Sequence, residues 1–200
     1  MSNQSNDHQS VRFLFDPACP WAYRASLWIR EVAEMLPLQV SWELFSLEYV
    51  NRERLEGPSL ERLRQNRQAL RLLSRAKEIE GNAGIDALYL ELGQAVHVRQ
   101  ESLGDEAVLA RALTNVGLPL TVLAETREDP RLDSQLESSY ASAVAAKVFG
   151  VPTLYVNESQ KPFYGPLISS VPTGYDAAKL WEHVSGLATL PYFYELKSMH

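Results

Sequence analysis

Hydrophobic and polar positions change period several times along this chain. "VRFLFD", 11–16, is a short apolar run closed by Asp16-Pro17, and it reads as a buried strand. From about Trp21 to Leu36 the period lengthens. Trp28, Val32 and Leu36 fall four apart, and Pro37 stops the predicted helix. "QVSWELF", 39–45, sets Val40, Trp42 and Leu44 against Gln39, Ser41 and Glu43, the alternation of a strand. The first 45 residues therefore read β-α-β, a unit that favours parallel strands and a right-handed crossover.

From about 52 to 148 the pattern is helical. "SLERLRQNRQALRLLSRAKEI" opens at a candidate Ser59 cap and places Leu60, Leu63, Leu70 and Leu73 along one face. "IDALYLELGQAV" follows with Ile85, Leu88, Leu92 and Val96. "DEAVLARALTNVG" runs from an Asp105 cap to Gly117, and "RLDSQLESSYASAVAAKVFG" spaces Leu132, Leu136, Tyr140 and Val144 four apart before Gly150. Strands return at "PTLYV", 152–156, and "FYGPLI", 163–168, and a last helix is predicted from about Tyr175 to Leu187. The aromatic "YFYELK", 192–197, is expected to pack on the core, with lining a pocket the second reading, and polar "MSNQSNDHQS", 1–10, to be a disordered leader.

Composition narrows the function. The 200 residues carry a net charge of −6, from 19 basic and 25 acidic residues, which disfavours a nucleic-acid surface. No run of about 18 apolar residues occurs, so no membrane span is expected. No His, Cys, Asp or Glu cluster has metal-ligand spacing, and the glycines form no phosphate loop. The single cysteine, Cys19, cannot close an internal disulfide, and the first residues lack an apolar signal region; both point to the cytoplasm.

Cys19 sits between a strand and a helix, where its sulfur can face the unpaired amides of the first turn. That placement predicts a lowered thiol pKa, although a small buried hydrophobe is an equal reading of the position. Pro20 suits the first helical position, which wastes an N–H anyway. Pro152, in "GVPT", enters a strand and could carry a cis Val151–Pro152 bond. Trp21 either shields the sulfur or fills the core. His97 either polarises a substrate and steadies a thiolate, or is a half-buried helix histidine on a backbone partner, the reading the pattern favours. His8 and His200 fall in tails, and His183 on the polar face of the last helix.

Taken together, "FDPACPWAY" at 15–23 and "GVPT" at 150–153 resemble the active-site segment and cis-proline loop of DsbA-like proteins. "FDPACPWAYRASLWI", "LELGQAVH" and the stretch from "FYGPLISS" to "FYELK" resemble the mycothiol-dependent nitroreductase branch of that group. The resemblance implies an α/β thioredoxin fold, β-α-β then β-β-α, with an inserted all-helical domain. Residues 11–51 and 149–200 would form the thioredoxin-like part and 52–148 the insertion, roofing the sulfur. It maps the nucleophile onto Cys19, places substrate or thiol contacts at Pro20, Trp21, Val151, Pro152 and His97, and puts Ala22 where a resolving cysteine would stand. A lone Cys19 needs an external thiol to clear an adduct. Mycothiol or glutathione is then the expected co-substrate, with no tightly bound cofactor, and the acceptor a small disulfide or electrophile. A small-thiol transferase or isomerase and a non-enzymatic binding module are the competing functions, and a homodimer is compatible with each.

Overall fold

The computed structural model describes residues 9–198. Strand β1, Gln9–Phe15, leads through helix α1, Pro20–Met35, into β2, Leu38–Leu44. Helices α2, Leu47–Asn51, α3, Pro58–Gln65, α4, Arg67–His97, α5, Glu106–Asn115, α6, Thr121–Glu128, and α7, Pro130–Ala145, follow. Then come β3, Thr153–Val156, β4, Phe163–Tyr164, and α8, Gly174–Ala188. The sheet order is β2-β1-β3-β4. β1 pairs parallel with β2, Phe13 beside Trp42, and antiparallel with β3, Phe13 beside Leu154. The parallel β-α-β reading and the later return of two strands and a helix are what the periodicity predicts.

Several predicted boundaries move. Gln9 and Ser10 of the predicted leader belong to β1, because Ser10 N donates to Asn157 Oδ1 and Ser10 O accepts from Asn157 N. Residues 1–8, with His8, and 199–200, with His200, lie outside the described residues. Ser59 is not a cap: α3 starts after Gly57, at φ 61°, with Pro58 in its first turn. Asp105 does cap α5 through Ala107 N, and Asp129 caps α7 through Arg131 N. α6 was hidden behind Pro119, its short inward face being Val122, Leu123 and Thr126. β4 ends at Tyr164 rather than 168, because Pro166 has no N–H to extend a ladder. "YFYELK" does not pack inward. Tyr192, Tyr194 and Leu196 are exposed and only Phe193 stacks, on Phe163 at 6.1 Å.

A continuous apolar cluster joins the sheet to the helices that follow β2. Its centre is aromatic. Phe15 stacks on Tyr89 of α4 at 3.7 Å, Trp42 meets Tyr89 edge-on at 5.6 Å, and Phe13 meets Trp42 at 5.0 Å. Arg30 of α1 pairs with Asp86 of α4 and lies over the Trp42 ring at 4.2 Å. α1 also meets α8, where Trp28 donates to the carbonyl of Ala177 at 3.0 Å.

β2 is an edge strand, and its open side is covered by side chains of α4. The helix breaks at Gly81, φ 64° and ψ −143°, a conformation costly for any residue with a Cβ. Just beyond the break, Asn82 Oδ1 accepts from Trp42 N at 2.8 Å and its Nδ2 donates to Val40 O at 2.8 Å. Lys77 Nζ donates to Trp42 O at 2.8 Å. One amide side chain thus imitates a neighbouring strand and keeps the edge from pairing elsewhere. Asn82→Ala is expected to cost about 1–3 kcal/mol, since Trp42 N and Val40 O lose their partners. Urea unfolding should show a lower midpoint at unchanged slope; an unchanged midpoint would contradict this role.

Candidate active site

The end of β1, the start of α1 and the approach to β3 converge on Cys19. Cys19 is the N-cap of α1, with extended φ −85° and ψ 113°, Pro20 in the first turn and no acidic residue there. The Ala22 amide donates to Cys19 Sγ at 3.4 Å. From a segment 132 residues away, the carbonyl of Val151 accepts from the thiol at 3.4 Å. The Val151–Pro152 bond is cis. Cys19 is only 6% exposed, so the thiol is nearly buried. Pro20 is exposed, Trp21 half-buried, and Ala22 buried where a second sulfur would stand. The geometry brings Cys19, Pro20, Trp21, Val151 and Pro152 together.

His97 ends α4 and reaches the same loop. Its Nε2 lies 2.9 Å from the carbonyl of Pro17, so this nitrogen carries the proton and donates. Its ring stacks on Tyr23 of α1 at 4.9 Å. Gly93 makes the approach possible: a Cβ there would lie 2.4 Å from Tyr23 Cδ2. Burial pushes the His97 pKa down, the Pro17 carbonyl opposes this, and Arg24 pushes it lower still. Neutral imidazole at pH 7 therefore braces the loop through its backbone. His183 is exposed on α8, away from this group.

One residue at the centre reads in the sequence only as a strand breaker. Asp16, 2% exposed, accepts from Ala18 N and Leu47 N, each at 2.8 Å, one with each carboxylate oxygen. Its carbonyl accepts from Cys19 N at 3.0 Å. Asp16 ties the cysteine loop to the start of α2. Burial raises its pKa to about 6, the two amides oppose the rise, and Glu48 adds to it. Glu48, also buried, is paired with Arg67. Asp followed by Pro at the end of a strand was readable as a breaker; what hid its role was Leu47, 31 residues on.

The expected lowering of the thiol pKa is overturned. Burial pushes the Cys19 thiol above its ordinary value; the Ala22 and Trp21 amides pull down, and the Asp16 carboxylate pushes up again. Position at a helix start supplies the amides, but the same packing removes the water a thiolate needs.

These sites generate a joint prediction. Asp16→Asn removes the negative charge beside the sulfur, so the Cys19 titration midpoint should fall, followed by thiolate absorbance. Asp16 holds its proton more tightly when folded. The stability it contributes is full below about pH 4 and is lost as pH rises through about 6, to an extent of about 3 kcal/mol. Asp16→Asn should flatten that decline in a stability–pH profile. An unmoved Cys19 midpoint would refute the coupling.

Comparison with known proteins now adds to the geometry. Residues 18–198 match the family described as mycothiol-dependent nitroreductase Rv2466c. The chain is 32% identical over 188 residues to the uncharacterized protein Rv2286c of Mycobacterium tuberculosis, covering 94% of this chain and 81% of that one. A solved 2-hydroxychromene-2-carboxylate isomerase superposes with a TM-score of 0.66 over 88% of this chain and 94% of its own, at 16% identity. The cytosolic disulfide reductase DsbM of Pseudomonas aeruginosa gives 0.61 over 87% and 97%, at 16% identity. A probable DsbA oxidoreductase of Streptomyces coelicolor gives 0.62 over 96% and 94%, at 15% identity. These structures share the DsbA-like thioredoxin fold with this chain.

Proposed function

Given that the chain belongs to the mycothiol-dependent nitroreductase family of Rv2466c and is a thiol-dependent oxidoreductase, we propose that Cys19 is its single nucleophile and that a small thiol, mycothiol first, completes each cycle. One observation carries this reading: the sulfur stands between the Ala22 amide and the Val151 carbonyl, and the place of a second sulfur is held by Ala22. Among structural neighbours, DsbM of Pseudomonas aeruginosa, a cytosolic disulfide reductase, has been solved with GSH. This lends support to a small thiol as the partner.

The chemistry balances with one protein sulfur. Cys19 attacks the mycothiol sulfur of a mixed disulfide; a new S–S bond forms, the old one breaks, and the departing sulfur leaves as a thiol with the Cys19 proton. Cys19 is then freed when a second mycothiol thiol attacks the adduct, giving mycothiol disulfide and the Cys19 thiol. For a nitro group, Cys19 and one mycothiol together give up two electrons and two protons. The nitro group becomes nitroso plus water, and the same Cys19 adduct results. Val151 O orients the thiol, and its carbonyl dipole opposes early ionisation. His97 and Asp16 hold the loop that carries the sulfur. The reaction belongs in a reducing cytoplasm, where the free small thiol is available. Among the described residues no helix is long and apolar enough to cross a membrane, and no cluster of three or more His, Cys, Asp or Glu could hold a metal ion.

The test compares mycothiol, glutathione and coenzyme A, each with a disulfide and a nitroaromatic acceptor. Turnover is expected with mycothiol and should rise with pH as the thiol ionises. Cys19→Ser should lower it by about 10³-fold or more, as loss of a covalent nucleophile does. Full turnover in Cys19→Ser would overturn the assignment and favour a transferase or isomerase in which the bound thiol reacts directly.

A further inference from the structure

Two aromatic rings stand beside the sulfur's loop and are left open to solvent. Phe149 is 67% exposed and Tyr164 40% exposed, and their centroids are 4.8 Å apart at 40°. Burying such rings is favourable, so a pair exposed at a reactive site marks a surface for a ligand. Their placement is fixed by backbone. Phe149 is two residues from Val151, whose carbonyl accepts from Cys19. Tyr164 is the register partner of Thr153, and Gly165 N donates to Pro152 O at 2.8 Å. Thr153 Oγ1 donates to Gly150 O at 2.7 Å, closing the loop between the rings and the strand. Gly150 leaves space for the Tyr164 ring, since a Cβ would lie 3.1 Å from its Cε2. Tyr164 also feels the sulfur: burial pushes its phenol up, and charge on Cys19 pushes it further.

We propose that Phe149 and Tyr164 form an aromatic ledge that holds a planar, electron-poor aromatic acceptor against Cys19. This rests on the reading of Cys19 as the reacting sulfur. The faces of phenyl and phenol rings carry negative charge density and stack, offset, on rings that lack it. An extended peptide is the poorer occupant. β4 is the free edge of the sheet, yet it is two residues long and runs into Gly165-Pro166, so it offers no ladder of N–H groups for strand addition. On the α1 side of the sulfur, Trp21 carries the Arg24 guanidinium at 5.1 Å, a cation suited to the negative charge a nitro or carboxylate substituent would bring.

The experiment has two arms. In the first, kcat/KM is measured with a nitrophenyl disulfide and with hydroxyethyl disulfide, using mycothiol as reductant. The aromatic-over-aliphatic ratio should fall about fivefold in Phe149→Ala and in Tyr164→Leu. Tyr164→Phe, which keeps the ring, should hold the ratio. An unchanged ratio in both ring-removing variants would overturn the ledge while leaving the Cys19 cycle standing. In the second arm, nitrobenzyl alcohol is titrated into Cys19→Ser protein by tryptophan quenching, with no chemistry involved. Binding should weaken about fivefold when Phe149→Ala is added. That result would uphold the ledge even if Cys19 proved not to be the nucleophile, and equal binding would refute it.

Discussion

A nearly buried sulfur must find its polar partners inside the protein, and here it finds them on two segments that are far apart in the chain. The Ala22 amide comes from the helix that Cys19 itself begins, and the Val151 carbonyl from the approach to β3. Satisfying both requires β1 and β3 to lie side by side with their ends in register, as the antiparallel pairing of Leu14 with Thr153 provides. The parallel β-α-β unit sets the helix start after the end of β1, and the aromatic cluster of Phe15, Trp42 and Tyr89 packs α4 against the same junction. Much of the architecture can be read as the means of holding one thiol between those two groups.

The same confinement shapes the chemistry. Burial raises the Cys19 pKa, and the neighbouring Asp16 carboxylate adds to the effect. A thiol of this kind is less ionised at rest than an exposed one, and it is a poorer leaving group once in a disulfide, so burial slows both the attack by Cys19 and its later release to the second mycothiol. That releasing attack comes from outside, since Ala22 offers no internal thiol. Asp16 ties the loop to Leu47 N, beside the Glu48–Arg67 pair, and His97 braces it as a neutral donor to the Pro17 carbonyl. Chemistry on a single sulfur is therefore supported by neighbours that position the loop rather than by a second redox group.

Much of this was legible in the sequence because it is local. The breaker Asp16-Pro17, the helical period from Trp28 to Leu36 and the alternation around Trp42 gave the β-α-β unit. Cys19 before Pro20 gave the helix start, and Gly150 to Thr153 the entry to β3. Features that depend on distant contacts were not legible. The sign of the Cys19 pKa shift follows from how closely Val151 and its surroundings cover the sulfur. Asp16 became a tie between two loops only through Leu47, and Asn82 an edge cover only through the backward bend at Gly81. The terminal aromatics misled because their composition suits a core, whereas β4 is too short to give them a surface to cover. In the sequence Phe149 closes a helical stretch and Tyr164 lies inside a strand, and only the pairing of β3 with β4 puts the two rings together.

The central claim is that one protein sulfur forms and then releases an adduct with a small thiol. Intact-protein mass after a single turnover addresses it directly: reduced protein, one equivalent of mycothiol and excess nitroaromatic or disulfide acceptor are mixed and quenched with acid. The account predicts a mass increase of one mycothiol, located on the peptide containing Cys19 and removed by a further equivalent of mycothiol. Acceptor consumed in that mixture with Cys19 unmodified throughout would contradict it.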